Sequence, residues 1–157
     1  CDTFNIPIVS LVDKPGFLIG PDAEKAGTIL HGTEAVLATT ESSVPWTTIM
    51  IRKSFGVAAA AHYGPDGYVL AWPSAESGPL PLEGGVAVAF KKEIAEAKDP
   101  EAKRKELEEK MAKNQNPFPR AEAFSVHEII DPRETRKYIS LWAERIQSQL
   151  RANLINR

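Results

Sequence analysis

The sequence has 157 residues, of which 43% are hydrophobic and 25% charged, and its formal net charge is −2. A chain of this length and composition can bury a core and is expected to form one globular domain. Because basic and acidic residues are interleaved and no apolar run approaches the roughly 20 residues that span a bilayer, neither nucleic acid nor a membrane is expected as a partner.

The chain begins at Cys1, which is its single cysteine. One cysteine cannot close an intrachain disulfide, and no Cys/His cluster has zinc-ligand spacing, so no metal site is expected. We therefore expect a reducing compartment, which is the cytoplasm or, for a eukaryotic protein, the mitochondrial matrix. The start carries neither a methionine nor a basic or apolar leader, which indicates a fragment of a longer protein.

The first predicted elements are a strand and a helix. Residues 6–12 (IPIVSLV) are rich in β-branched side chains and precede a Pro15-Gly16 turn, as is typical of a buried strand. From Asp22 onward, apolar residues recur at three- and four-residue spacing, which predicts a helix that packs on the sheet. These apolar positions are Ala23, Ala26, Ile29, Leu30, Ala35, Val36 and Leu37.

The middle of the sequence predicts two further strands around a small helix. Residues 46–51 (WTTIMI) are mostly aromatic or β-branched, and a glycine-bearing loop is expected over residues 52–56. The alanine-rich residues 57–63 favour a helix that another backbone or a ligand can approach closely. Residues 69–72 predict a third strand, and the prolines and glycines of residues 73–85 predict irregular chain.

The last part of the sequence is predicted to be mainly helical. A helix is expected to start at residues 86–94, and a solvated helix or helical hairpin over residues 93–113 is expected to break near Asp99. A short segment ends at residues 126–130, and Asp131 is a predicted N-cap. The closing helix should bury an apolar face formed by Tyr138, Ile139, Trp142, Ala143, Ile146 and Leu150. The alternation of strands and helices predicts an α/β domain.

The sequence has none of the common catalytic motifs, such as GxSxG, HExxH or a P-loop. His31, His62 and His127 are candidates for acid–base catalysis because imidazole titrates near neutrality, and the alternative for each is a structural or surface role. Asp13 and Glu76 lie beside predicted strand ends and are the acidic candidates.

The segment around Gly56 suggests chemistry through the backbone. It combines a strand, a glycine loop and a small-residue helix, and the first N–H groups of a helix have no intrahelical acceptor. Such donors can form an oxyanion hole that stabilises a developing negative oxygen. A tight strand-to-helix turn is also an ordinary connection, so both interpretations stay open on this pattern alone.

Six segments resemble, in the same order, motifs of the carboxyltransferase subunits of acetyl-CoA and propionyl-CoA carboxylases and of the related glutaconyl-CoA decarboxylase α subunits. They are residues 11–18 (LVDKPGFL, similar to LVDxPGFL), 31–32 (HG), 52–58 (RKSFGVA, similar to RKAYGGA), 71–76 (AWPSAE), 116–118 (NPF, similar to NPY) and 130–136 (IDPRETR). The resemblance spans nearly the whole chain.

The resemblance implies a crotonase/ClpP-like fold of repeated ββα units, with residues 1–157 forming the C-terminal carboxyltransferase domain. It also implies that an N-terminal acyl-CoA-binding domain is absent from this chain and that the subunit forms a homo-oligomer, usually a hexamer. The implied reaction transfers a carboxyl group from carboxybiotin to the α carbon of a short acyl-CoA such as propionyl-CoA or acetyl-CoA. Biotin would be carried by a partner biotin carboxylase/biotin carrier subunit.

The resemblance also assigns the site. The amides of Val57 and Ala58 would face the carbonyl oxygen of carboxybiotin and stabilise its enolate, and Phe55 and Gly56 would complete the biotin-binding segment. Ala59 and Ala60 would contact the substrate, since the residue at Ala60 tunes acyl-chain preference in the family.

Several departures from the family pattern leave other functions open. Val57 replaces the family's second glycine, Ala59 replaces its tyrosine, and the alanine run before His62 is more similar to the decarboxylase branch. The alternatives are a biotin-dependent acyl-CoA decarboxylase subunit and a non-catalytic crotonase-like assembly domain. A hydratase or isomerase would need placed carboxylates near the amides, which the sequence does not indicate. With one amide pair, the fragment alone is expected to be inactive.

Overall fold

A computed structural model describes residues 1–155, apart from the side chain of Glu83. Its sheet has five strands, in the order β1-β2-β3-β5, with β4 paired to a second segment of β2. The strands are β1 (Ile8–Lys14), β2 (Trp46–Phe55), β3 (Tyr68–Ala71), β4 (Glu76–Gly78) and β5 (Glu128–Ile129). All of the pairings are parallel, as expected when helices connect successive strands.

All but one of the connections between successive strands contain helices; β3 and β4 are joined by residues 72–75 without one. The α-helices are α1 (Pro21–Lys25), α2 (Thr28–Thr40), α3 (Gly56–Ala60), α4 (Leu82–Ala89), α5 (Lys91–Glu96), α6 (Pro100–Gln115), α7 (Pro117–Glu122), α8 (Thr135–Arg145) and α9 (Gln147–Ile155), and a 3₁₀ turn covers Pro132–Glu134. No described helix combines the length and apolar character that crossing a membrane requires.

The core lies on both faces of β2 and β3, as parallel sheets require. One cluster joins Ile49, Leu70 and Ile130 and is covered by Tyr138 and Ile139 of α8. A second cluster, on the other face, consists of Met50, Val69, Ala71, Ala75 and Val126. The predicted burial of the closing helix is confirmed, because Trp142 and Ile146 are each only 7% exposed.

The predicted helix break near Asp99 and the predicted N-cap at Asp131 are both confirmed. The Asp99 carboxylate accepts hydrogen bonds from the backbone N–H groups of Glu101 and Ala102, and α6 begins at the following proline. The Asp131 carboxylate accepts a hydrogen bond from the N–H of Arg133 at 2.9 Å, which starts the 3₁₀ turn before α8. Both signals are local in sequence.

The predicted loop over residues 52–56 and the irregular chain over residues 73–85 are partly wrong. Strand β2 continues to Phe55 because, beyond β3, it gains a second neighbour: Lys53 pairs with Glu76, and Phe55 with Gly78. The short strand β4 therefore interrupts the proline-rich segment. The last part of that segment, from residue 82, already belongs to α4.

The helix predicted from Asp22 forms as two helices, and its apolar stripe is not buried as predicted. Gly27 has φ 69°, which separates α1 from α2. Ile29, Leu30 and Leu37 are exposed, because no other element within residues 1–155 covers this face. The closing helix is likewise divided, since α8 ends at Arg145 and α9 begins at Gln147.

Candidate functional site

The candidate site is the turn between β2 and α3. Phe55 ends the strand with extended backbone angles, and Gly56 then adopts φ 63°, a left-handed conformation that favours glycine. A Cβ at Gly56 would also meet the carbonyl oxygen of Pro79 at 3.3 Å. Glycine therefore allows the chain to turn from the inner strand β2 into α3 while passing close to Pro79, which follows β4.

This turn leaves two backbone donors free. No described atom accepts a hydrogen bond from the N–H of Val57 or Ala58, as expected in the first turn of a helix. The side chain of Val57 is 64% exposed, whereas Ala58 is only 2% exposed and anchors the helix in the core. The local backbone is thus fixed on one side and open to solvent on the other, which suits fixed hydrogen-bond donors.

A cavity of about 280 Å³ lies beside the turn. Gly56, Ala59 and Ala60 form part of its wall, so the structure brings the two predicted substrate-contacting alanines next to the predicted biotin-binding segment. The Phe55 side chain is 1% exposed and does not line the cavity. Any contact of Phe55 with a ligand there is limited to its backbone.

The cavity also contains polar residues that the sequence did not single out. The Ser54 hydroxyl and the Tyr63 hydroxyl are hydrogen-bonded at 2.7 Å, and both residues line the cavity together with Arg120. Burial raises the pKa of Tyr63, so its hydroxyl stays protonated at neutral pH. Alternation along β2 could have suggested Ser54, but nothing local in the sequence pointed to Arg120.

Asp13 lies at the end of β1, and its carboxylate connects β1 to β2 through hydrogen bonds. The Nε of Arg52 donates to both carboxylate oxygens, at 3.1 and 3.0 Å, and the N–H of Lys53 donates at 3.2 Å. The hydrogen bond from Arg52 lowers the pKa of Asp13. Asp13 is therefore an ionised acceptor that fixes the end of β2. Glu76 is exposed at the start of β4 and does not line the cavity.

The three histidines have partners outside the cavity. His31 lies on the exposed surface of α2, with its Nδ1 3.1 Å from Glu34. His127 accepts a hydrogen bond from the N–H of Val69 at 2.9 Å. His62 Nδ1 is 3.3 Å from the Ser10 hydroxyl, and none of the three histidines lines the cavity. These contacts favour structural roles.

His62 is expected to make stability depend on pH. Burial, and secondarily the positive charge of Lys14, lower its pKa below the ordinary value of 6.5. The unfolded chain therefore binds a proton more readily, and stability falls as pH drops from 6.5 through the lower pKa of the folded state. NMR titration of the ring should give a pKa below 6.5 that rises in Lys14→Met and is unchanged in Lys137→Met. A pKa at or above 6.5 would contradict the burial of this ring.

Within residues 1–155, no group of three or more His, Cys, Asp or Glu side chains is arranged to hold a metal ion. What the site offers is a pair of free backbone donors at Val57 and Ala58 and, in the wall of the neighbouring cavity, two hydroxyls and one guanidinium. Val57 and Ala58 themselves do not line that cavity. Fixed donors of this kind stabilise negative charge that develops on an oxygen.

Known proteins are similar to this chain in sequence and in fold. The propionyl-CoA carboxylase carboxyltransferase subunit of Haloferax mediterranei is 42% identical over 141 residues, which cover 87% of this chain and 27% of that protein. The methylmalonyl-CoA decarboxylase subunit alpha of Propionigenium modestum is 40% identical and is matched over 28% of its length by 88% of this chain. The chain thus spans less than a third of these curated relatives.

A solved structure gives the same result for the fold. The crystal structure of the transcarboxylase 12S hexamer assembly with methylmalonyl-CoA bound superposes with a TM-score of 0.83 at 41% identity. The match covers 94% of this chain and 29% of that one. It confirms the predicted mixed α/β domain with the crotonase-type fold of carboxyltransferases. Residues 1–157 match the family described as the carboxyl transferase domain, and the chain belongs to that family.

Proposed function

We propose that this chain is the carboxybiotin-binding half of a carboxyltransferase that moves a carboxyl group between biotin and the α carbon of a short acyl-CoA. The observation that carries the proposal is the pair of free N–H donors at Val57 and Ala58, placed at the end of an inner parallel strand. The relatives named for propionyl-CoA carboxylase and methylmalonyl-CoA decarboxylase support this reaction class.

The proposed role of the chain is to hold and polarise one oxygen. Biotin, when bound, supplies a ring nitrogen that carries the carboxyl group. The N–H groups of Val57 and Ala58 would donate to the carbonyl oxygen of the biotin ring, next to that nitrogen. Negative charge increases on this oxygen as the carboxyl group leaves. Losing one such donor typically costs about 3 kcal/mol of transition-state stabilisation. Ala59 and Ala60 would leave room for the acyl group, because their side chains add little volume to the cavity wall.

The rest of the catalytic machinery would come from outside this chain. We infer that a second domain binds the acyl-CoA, and that the protein works as a homo-oligomer with a biotin carrier as its partner. The exposed apolar surface supports such contacts, because isolated monomers rarely expose large apolar patches. It includes Val9 and Leu11 on the edge strand β1, Leu18 after it, and Ile29, Leu30 and Leu37 on α2.

The second candidate function is a biotin-dependent decarboxylase subunit, which would run related chemistry in the opposite direction. This candidate is supported by the 40% identity to a methylmalonyl-CoA decarboxylase subunit alpha, which is close to the 42% identity to a carboxylase subunit. Both candidates would use the same donors at Val57 and Ala58. They differ in what removes or supplies the carboxyl group on biotin.

Carboxyl transfer to free biotin tests the proposed reaction. By the intact protein we mean this chain together with the proposed acyl-CoA-binding domain. It is expected to convert methylmalonyl-CoA and biotin into propionyl-CoA and carboxybiotin, measured by mass spectrometry, whereas residues 1–157 alone are expected to show no turnover. Hydration of crotonyl-CoA serves as the control for a hydratase. The proposal is wrong if the intact protein hydrates crotonyl-CoA but transfers no carboxyl group, or if the isolated chain transfers it unaided.

A further inference from the structure

The most polar wall of the cavity beside Gly56 is formed by Arg120, in the last turn of α7. Its backbone is held firmly, because its carbonyl oxygen accepts hydrogen bonds from the N–H groups of Ser125 and Val126, at 2.9 and 3.2 Å, and from the Ser125 hydroxyl at 3.0 Å. The position from which the side chain extends is therefore fixed by three hydrogen bonds to one atom.

The guanidinium group of Arg120 has no protein partner among the described residues. No described carboxylate forms an ion pair with it, and no described acceptor receives one of its hydrogen bonds. This differs from Arg52, Arg104 and Arg133, which are each paired with a carboxylate. Arg120 is a half-buried residue, and a guanidinium with five donors and no acceptor is well suited to binding an anion.

The Ser54–Tyr63 hydroxyl pair adds a second donor to the same cavity. Two hydroxyl groups carry two protons, and the 2.7 Å hydrogen bond between them uses only one. The other proton remains available for a ligand, whichever hydroxyl donates to the other. Ser54 is buried at the end of β2, so its position is set by the strand and not by solvent.

The charge of the cavity wall selects the ligand. No carboxylate lines the cavity, so the positive charge of Arg120 is not compensated there. Guanidinium groups bind carboxylates through two parallel hydrogen bonds, which match the geometry of the planar fork. The remaining wall is formed by small residues, including Gly56 and Gly78, and leaves space for a planar anionic group.

We propose that Arg120 and the Ser54–Tyr63 hydroxyl pair bind a carboxylate of a reactant beside the Gly56 turn. This inference rests on the proposed function and specifies its substrate class. The carboxylate has two possible sources: the group that is transferred, as in methylmalonyl-CoA, or a second carboxylate at the far end of a dicarboxylic acyl chain, as in glutaryl-CoA. Both sources would use the same ion pair.

Binding measurements on the intact protein test this assignment. Isothermal titration would compare propionyl-CoA, methylmalonyl-CoA and glutaryl-CoA in wild type and Arg120→Gln. We expect the variant to bind at least one of the two acids about 10- to 100-fold more weakly, because the charge-assisted hydrogen bonds to its carboxylate are lost. The affinity for propionyl-CoA, which has no acyl carboxylate, should change less than threefold. A loss for methylmalonyl-CoA identifies the transferred group, and a loss confined to glutaryl-CoA identifies a distal carboxylate.

Two further variants separate binding from structure. Arg120→Lys should recover part of the lost affinity, because lysine restores the charge without the fork. Arg151→Gln removes a charge from exposed α9 and should change no affinity. Equal weakening of all three thioesters, or no weakening of either acid, would overturn the inference. If wild type binds the acids through Arg120 but transfers no carboxyl group to biotin, the proposed function fails while this carboxylate site stands.

Discussion

Ala58→Pro in the intact protein is expected to lower carboxyl transfer to biotin by about two to three orders of magnitude, because it removes a donor that no side chain can replace. Ala58 lies in the first turn of α3, where its N–H has no intrahelical acceptor, so proline breaks no existing hydrogen bond there. Steady-state kinetics should show the loss mainly in kcat, since the donor acts on charge that develops during the reaction.

Substitutions at the same helix separate the donor from its side chain. Ala58→Gly keeps the N–H and should retain most activity. Because Ala58 is buried, Val57→Pro is a second test: its side chain is exposed, and the ring would extend into solvent. Circular dichroism would establish that each variant is folded. Normal transfer by folded Ala58→Pro and Val57→Pro would show that the backbone donors are not catalytic.

His62→Ala tests the competing side-chain mechanism. The ring contacts the Ser10 hydroxyl and does not line the cavity, so its removal should lower transfer by much less than the loss of a backbone donor. Its backbone carbonyl, which accepts hydrogen bonds from Trp46 Nε1 and the Thr48 hydroxyl, is unchanged by this substitution. Complete loss of transfer in a folded His62→Ala protein would require an acid–base role.

Local signals in the sequence were sufficient for much of the fold. Strand β1 and the first part of β2 follow from runs of β-branched residues, and β3 follows from the short apolar run of residues 69–72. The caps at Asp99 and Asp131 act on residues two or three positions away. Strand β4 could not be predicted in this way. Its three residues form a strand only because the second part of β2 is available to pair with them.

The candidate site, like the fold, has features that a local motif predicts and features that depend on distant residues. The donors at Val57 and Ala58 follow from one local motif, whereas the roles of the side chains depend on partners far along the chain. The Asp13 carboxylate is paired with Arg52, 39 residues later, and His127 accepts a hydrogen bond from the N–H of Val69. The approach of Arg120 to Ser54 and Tyr63 likewise depends on how α7 packs on the sheet, which no motif encodes.

Phe55→Ala is expected to destabilise the protein by about 3–5 kcal/mol, because deleting a buried aromatic ring leaves a cavity. Phe55 is 1% exposed at the junction of β2 and α3, and its Cε1 would lie 3.6 Å from a Cβ placed on Gly78. Urea denaturation should show a lower midpoint at an unchanged m-value. The matched control is Phe4→Ala: that ring is 79% exposed, so its loss should change stability by no more than about 0.5 kcal/mol.

Phe55→Leu then distinguishes packing from ligand contact. Leucine keeps the site apolar and fills much of the volume, so a folded variant should recover a large part of the lost stability. If Phe55 acts only by positioning Gly56 and the donors that follow it, transfer per folded molecule in Phe55→Leu should stay within about tenfold of wild type, since a small shift of donors costs less than losing one. A folded Phe55→Leu protein that has lost its affinity for biotin would show instead that the ring itself contacts the ligand.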